Sequence, residues 1–249
     1  MILAAGLGTR LKPLTDKIPK ALVEIDGIPM IERVIQKLKK EGFSQIVVNV
    51  HHFSSMVQDF IRNRNFGVEI SISDESDMLL DTGGGIVKAS SMLFKDDEPV
   101  LIHNVDIISN ADLKGLITKN KNDEGVTLLV SDRTSNRKLI FDQEMILSGW
   151  HDLKNNIYRN LPENKHYRNR SGSLETNELA FSGIYAINKN SAIEMRDLLG
   201  QGKFSVMEYF LHPERKNEVR GFKQDNLKLI DIGKPATLEQ ASDILKEIS

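Results

Sequence analysis

The chain has 249 residues, with 33 Lys and Arg against 35 Asp and Glu, a formal net charge of −2 and no cysteine. Such a length fits one large α/β domain or two small ones with ample burial, the charge balance gives no electrostatic case for nucleic acid, and the missing thiols exclude disulfides, thiolate catalysis and cysteine-ligated zinc. No charged segment followed by a short apolar core opens the chain, and no apolar run approaches the ~18 residues of a membrane span, so the expected location is the cytoplasm, with no membrane partner.

The first predicted element is an apolar strand reaching Leu3-Ala4-Ala5, which runs into Gly6-Leu7-Gly8-Thr9-Arg10, with Lys20 ten residues on. Small residues and two glycines let backbone N–H groups turn toward an anion without Cβ interference, and two cations can neutralise separate phosphates. The pattern is neither a P-loop, which needs G-x-x-x-x-G-K-[ST], nor a dinucleotide fingerprint, because the third glycine is missing. A bare G-x-G is also a tight turn between strand and helix. A helix is predicted with Pro29 at its first position, Met30, Ile31, Val34, Ile35 and Leu38 at helical spacing, and Gly42 as its stop. The β-branched run Gln45 to Val50 predicts a strand. Ser54 to Arg64 predicts a helix with Met56, Val57, Phe60 and Ile61 on one side, and Val68 to Ile72 a second strand. Asp81-Thr82-Gly83-Gly84-Gly85 reads as a loop ahead of a helix from Ile86 to Leu93. Three glycines let a backbone lie flat against a planar base, and equally make a flexible linker. The strand Pro99 to His103 leads into Asn104-Val105-Asp106. Strands alternating with helices imply a parallel sheet that binds ligands outside its carboxyl ends, where Asp106 either holds a hard cation through oxygen or caps the next segment.

After about residue 130 the pattern changes. Lys138 to Phe141 and Met145 to Leu147 predict a hairpin around Asp142-Gln143-Glu144. The polar stretch from Trp150 to Thr176 carries Lys154, Arg159, Lys165, His166, Arg168 and Arg170; it reads as a mobile flap over an anionic substrate, or as a solvated excursion or oligomer contact. Regular structure resumes with a strand from Ala180 to Ile187, helices near Ser191 to Leu199 and Val206 to Leu211, a strand from Leu227 to Ile232 that sets Asp231 before Gly233, and a helix from Thr237. No hexapeptide repeat is present, so no C-terminal β-helix is expected. His51-His52 has no third ligand at metal spacing and reads as structural or solvated, and Trp150 as a hydrophobic anchor.

The run L-A-A-G-x-G-T-R-L-x-P-L-T-x-x-x-P-K-x-L over residues 3 to 22 closely resembles the opening of the sugar-phosphate nucleotidyltransferases. The D-T-G-G-G stretch is similar to the E-T-G-G-G form of the N-acetylmuramate-1-phosphate uridylyltransferases in that family, and mannose-1-phosphate guanylyltransferases share much of the pattern. The resemblance implies one α/β domain with a mostly parallel, twisted central sheet flanked by helices, residues 1–131 forming a nucleotide-binding half and 132–249 a sugar-phosphate-binding half. It implies transfer of a nucleotidyl group from a nucleoside triphosphate to a sugar 1-phosphate, with release of pyrophosphate, dependent on Mg2+, in nucleotide-sugar biosynthesis for the cell envelope. Arg10 and Lys20 would be catalytic. Leu3, Ala4, Ala5, Gly6, Gly8, Thr9, Asp81, Thr82, Gly83, Gly84 and Asn104 would bind the nucleotide, and Asp106 and Asp231 the metal. Gly183, within Phe181-Ser182-Gly183-Ile184-Tyr185, would meet the sugar phosphate together with Asn177 and Glu178. The family's E-K-P triplet is absent and leaves Lys154 as the nearest substitute for its lysine. Val105 replaces a usual Gly, Asp81 a usual Glu, and the chain starts inside the first strand, a residue or two later than the family does, which implies a shortened N-terminus. Uridylyl transfer is expected; guanylyl transfer to mannose 1-phosphate or a heptose 1-phosphate, or a non-catalytic nucleotide-binding module, are the alternatives. A plain oxidoreductase is disfavoured by the missing third glycine. Self-association is left open.

Overall fold

A computed structural model describes residues 1–123, 125–160 and 176–248. Its first half alternates as the periodicity requires. The short β1 (Ile2–Leu3) is followed by the glycine loop and by the small hairpin β2 (Glu24–Ile25) and β3 (Ile28–Pro29), which leads into α1 (Met30–Lys40). Pro29 closes β3 and caps α1, one residue earlier than predicted; Met30, Ile31, Val34, Ile35 and Leu38 are the buried stripe, and Gly42 at φ 87° ends the helix. β4 (Gln45–Val50) has the predicted limits, and α2 (Ser54–Arg62) buries Val57 and Ile61 while Met56 turns outward. β5 (Glu69–Asp74), α3 (Asp81–Leu93) and β6 (Val100–Asn104) complete this half.

The elements that follow are less regular in sequence. β7 (Ile107–Ser109), α4 (Leu113–Asp123) and β8 (Gly125–Ser131) were not foreseen. The hairpin is β9 (Arg137–Phe141) with β10 (Leu147–Asp152), to which β11 (Ile157–Arg159) adds, so Trp150 is a strand residue. Lys165, His166, Arg168 and Arg170 of the expected flap lie outside the described residues. β12 (Asn177–Ile187), α5 (Lys189–Leu199), α6 (Val206–Phe210), the unforeseen β13 (Glu218–Lys223), β14 (Leu229–Asp231) and α7 (Pro235–Ile248) finish the chain. The sheet runs β11-β10-β9-β12-β6-β1-β4-β5, with β8 beside β12 and β13 beside β8. The end formed by β6-β1-β4-β5 is parallel, and β12 with the β9–β11 ribbon is antiparallel. One hydrophobic cluster joins Met1, Leu3 and Ile86 to Tyr185, Tyr209 and Phe210, so both halves of the chain share a core. No helix among the described residues is long and apolar enough to cross a membrane.

His103 sits in the middle of this core on β6, 1% exposed, with Nδ1 2.8 Å from the Asn104 carbonyl. Burial pulls its pKa from 6.5 down to about 4. The folded state therefore refuses a proton that the unfolded chain accepts below about pH 6.5, so the contribution is intact above that pH and is lost as pH falls through the window to about 4. Its full extent is about 3 kcal/mol. Urea titrations across this range should show stability declining with acidity, and a His103→Asn variant should flatten the profile; an equally steep decline in the variant would remove His103 as the cause.

Candidate active site

Register assembles the site. Leu3 of β1 pairs with Asn49 of β4 on one side and Asn104 of β6 on the other, which sets three carboxyl ends in one row. The backbone N–H of Ala4 donates to Asn49 Oδ1 at 2.7 Å, so the chain leaves β1 in a defined direction. Gly8 takes φ 65°, and a Cβ there would stand 2.8 Å from Thr15 Cγ2 and 3.1 Å from Lys20 Cβ, so only glycine lets the loop fold onto the Lys20 segment. Thr15 Oγ1 donates to the Gly8 carbonyl at 2.8 Å and fastens that turn. A Cβ on Gly6 would meet no protein atom within 4 Å. The resulting cavity of about 390 Å3 is lined by Leu3, the loop from Ala5 to Arg10, Lys20, Asn49, Asp81, Thr82, Asn104, Asp106 and Gly233, a size suited to a small-molecule ligand.

The triple glycine is not a loop. Gly83, Gly84 and Gly85 lie buried in the first turns of α3, and the N–H groups of Gly83 and Gly84 both donate to the Phe204 carbonyl, at 3.0 and 3.3 Å. A Cβ at Gly84 would sit 2.2 Å from the Gly202 carbonyl oxygen, and one at Gly83 2.3 Å from the Phe204 ring. These glycines admit the 202–204 segment rather than a base, and of the expected stretch Asp81 and Thr82 line the cavity while Gly83 and Gly84 do not.

Charge is concentrated at one end. Lys20 is 9% exposed and ion-paired with Asp106. Asp231 reaches the same place because β14 pairs antiparallel with β7, Asp231 opposite Ile107, and the Ile232 N–H donates to the Asp106 carbonyl at 2.9 Å. Burial, and then the neighbouring Asp106 charge, push the Asp231 carboxyl above the usual carboxylate range, against the pull of Lys20, Arg10 and Arg133. Its Oδ1 is buried without a hydrogen-bond partner. Arg10 Nη2 passes where Gly233 has no side chain, 2.5 Å from where a Cβ would be, beside Asp231. Two adjacent carboxylates with an unpartnered buried oxygen suit a hard cation such as Mg2+, which is held by one or two carboxylates while water and substrate phosphate complete the shell. Among the described residues no third His, Asp or Glu joins them.

A second, larger cavity of about 880 Å3 is lined by Arg133, Arg137, Lys138, Trp150, Arg159, Phe181, Ser205, Met207 and His212, among others. It adjoins the first across Thr82, whose Oγ1 accepts from the Val206 N–H at 2.9 Å. Phe181 is set edge-on to Phe210, centroids 6.2 Å apart at 87°, and the Arg159 guanidinium lies 5.3 Å from the Trp150 ring. Trp150 both anchors the ribbon on the core and lines this cavity. Arg133, which the sequence analysis does not single out, lines this cavity. Its Nη2 donates to the Phe181 carbonyl at 2.8 Å, its Nε is buried without a partner, and it feels the Asp231 charge. Asn177 donates to the Asp142 carbonyl at 3.3 Å, Glu178 lies 3.2 Å from His151 Nδ1, Lys154 sits in the β10–β11 turn, and none of the three lines either cavity. Gly183, at φ 73°, makes room for Asn104, whose Nδ2 would be 2.7 Å from a Cβ.

Comparison with known proteins identifies the family and the fold. A family model described as nucleotidyl transferase matches residues 1–139. The chain is 43% identical over 111 residues to the N-acetylmuramate alpha-1-phosphate uridylyltransferase of Caulobacter vibrioides, covering 43% of this chain and 45% of that protein. It is 37% identical over 123 residues to the mannose-1-phosphate guanyltransferase of Gibberella zeae, covering 49% and 34%. The matched stretch thus spans about half or less of these relatives. Among solved structures, HddC from Yersinia pseudotuberculosis superposes with a TM-score of 0.76 at 23% identity, covering 98% of this chain and 97% of that one. The inositol-1-phosphate CTP transferase from T. maritima superposes with 0.72 at 16% identity, covering 99% and 94%. These two likenesses establish the fold.

Proposed function

The chain belongs to the nucleotidyl transferase family, and from that premise we propose that it transfers a nucleotidyl group from a nucleoside triphosphate to a sugar 1-phosphate, giving a nucleotide sugar and pyrophosphate. The observation that carries the proposal is the convergence of Arg10, Lys20, Asp106 and Asp231 on one end of a cavity that adjoins a second, cation-lined one. The triphosphate lies against the 5–10 loop, with Arg10 and Lys20 neutralising its charge, and the base extends toward Asp81 and Thr82. The sugar 1-phosphate occupies the larger cavity, with the Arg133 guanidinium that lines it meeting its phosphate and Trp150 and Phe181 offering flat apolar surfaces to the sugar ring. A phosphate oxygen of the sugar 1-phosphate attacks the α-phosphorus in line, and the bond to pyrophosphate breaks. The attacking phosphate is already ionised near neutral pH, so neither a general base nor a protein nucleophile is required; the protein holds two polyanions together and aligns them. Asp106 and Asp231 would hold Mg2+, which when bound supplies further neutralisation of the triphosphate. The cytoplasm, where nucleoside triphosphates are available, is the compartment this chemistry needs.

Uracil is the preferred base, supported by the uridylyltransferase relative. Guanine is the second reading, supported by the guanyltransferase relative. A matrix of nucleoside triphosphates against sugar 1-phosphates, followed by pyrophosphate release, tests the proposal; release from UTP with at least one sugar 1-phosphate is expected, and none from any pair would refute it. Arg133→Ala should raise the KM for the sugar 1-phosphate by about tenfold or more, as the loss of a charged hydrogen bond does, with little change in the KM for the triphosphate. Lys154→Ala should change neither; the reverse outcome would return the sugar phosphate to the β10–β11 turn.

A further inference from the structure

Glu75, just beyond β5, is completely buried, and its carboxylate is held by neutral groups: Oε1 accepts from Asn49 Nδ2 at 2.8 Å and Oε2 from the Leu80 N–H at 3.1 Å. Each partner leads to a different stretch of the smaller cavity's lining. Asn49 lines the cavity itself, and its Oδ1 takes the Ala4 N–H where the chain enters the glycine loop. Leu80 precedes Asp81 and Thr82, and its carbonyl accepts from the Phe204 N–H at 3.1 Å. Gly85 exists for this arrangement, since a Cβ there would stand 2.7 Å from Glu75 Oε1 and 2.9 Å from Asn49 Nδ2. A buried carboxylate is costly to retain unless both oxygens are used.

We propose that Glu75 is a positioning residue for nucleotide binding: its single carboxylate ties the phosphate loop, through Asn49 and Ala4, to the Leu80–Thr82 stretch, and so sets the spacing between the groups that meet the phosphates and those that meet the base. The inference rests on the reading of the smaller cavity as the nucleotide site. Only a group that accepts at both ends can do this. In Glu75→Gln, whichever way the amide is turned, its NH2 faces either the Leu80 N–H or the Asn49 NH2, and Asn49 cannot turn to help because its oxygen is committed to Ala4. One donor–donor contact remains and pushes the two stretches apart.

The dissociation constants for UTP and GTP, measured by calorimetry on wild type and Glu75→Gln beside KM, kcat and Tm, decide the matter. The expected result is weakening of about tenfold for the preferred nucleotide, a smaller UTP-to-GTP preference, and a kcat at saturating substrate that changes less than KM. A purely structural role would lower Tm and the active fraction, hence kcat, and leave dissociation constants and preference alone; that result overturns the inference while the functional reading stands. Wild-type protein with no affinity for any nucleoside triphosphate would overturn both. Should Glu75→Gln not fold, Asn49→Ser breaks the same tie at Ala4, with weakened binding expected and unchanged binding overturning the inference.

Discussion

Lys20→Ala is expected to lower kcat by on the order of 10²-fold or more, as losing one preorganised charge at a developing phosphate anion does. It is also expected to lower Tm, because Lys20 is buried and paired with Asp106. Removing it leaves Asp106 and the already strained Asp231 facing each other, a loss of about 3 kcal/mol for breaking a buried pair. Arg10 makes the contrasting case. It is exposed, so Arg10→Ala should lose comparable activity with little change in Tm. Pyrophosphate-release kinetics with thermal denaturation separate the two effects; near-normal turnover in either variant would dissolve the assignment of the loop and these cations to the triphosphate.

Asp231→Asn is expected to move stability and activity in opposite directions. The Asp231 carboxyl is pushed above its ordinary range by burial and by Asp106. An acid whose folded pKa is raised costs the fold stability once pH rises through its unfolded value toward its folded one, so at neutral pH the ionised side chain is a burden. The isosteric amide removes that charge, so Tm without metal should rise. Divalent-cation affinity should fall, and kcat should fall by about 10²-fold or more, the equivalent of several kcal/mol of charge stabilisation. Manganese titration followed by electron paramagnetic resonance reads the affinity without catalysis. A variant with unchanged cation binding, or full wild-type activity in chelator, would exclude the Asp106–Asp231 pair as the metal site.

The parallel half of the fold was legible in the chain because its inner strands are buried on both faces and read as short apolar runs; Gln45 to Val50 needed no revision. The row Leu3, Asn49 and Asn104 was half legible. Leu3 and Asn104 flank recognisable motifs, but Asn49 is one polar residue inside an apolar strand, and only pairing register shows that its amide faces the glycine loop. Gly83 to Gly85 mislead because local propensity makes a glycine triplet a loop, whereas the approach of Phe204 and Gly202 to Gly83 and Gly84, and of Glu75 and Asn49 to Gly85, leaves no room for a side chain in this helix. Arg133 and Lys154 are both cations near the hairpin, and nothing in their spacing says which one faces a cavity. That choice is made by the long β12, which puts Phe181 within reach of Arg133. Lys20 is legible by its position in the motif but its burial is not, since its partner Asp106 is remote in sequence.

Transfer of the α-phosphorus is the central claim, and a labelled triphosphate follows that atom directly. With UTP labelled at the α-phosphorus and an unlabelled sugar 1-phosphate, the label should appear in a UDP-sugar that forms in step with unlabelled pyrophosphate, and UTP labelled at the γ-phosphorus should pass its label to pyrophosphate alone. Label from the α position found only in UDP or UMP, or label from the γ position found on the sugar, would contradict the account.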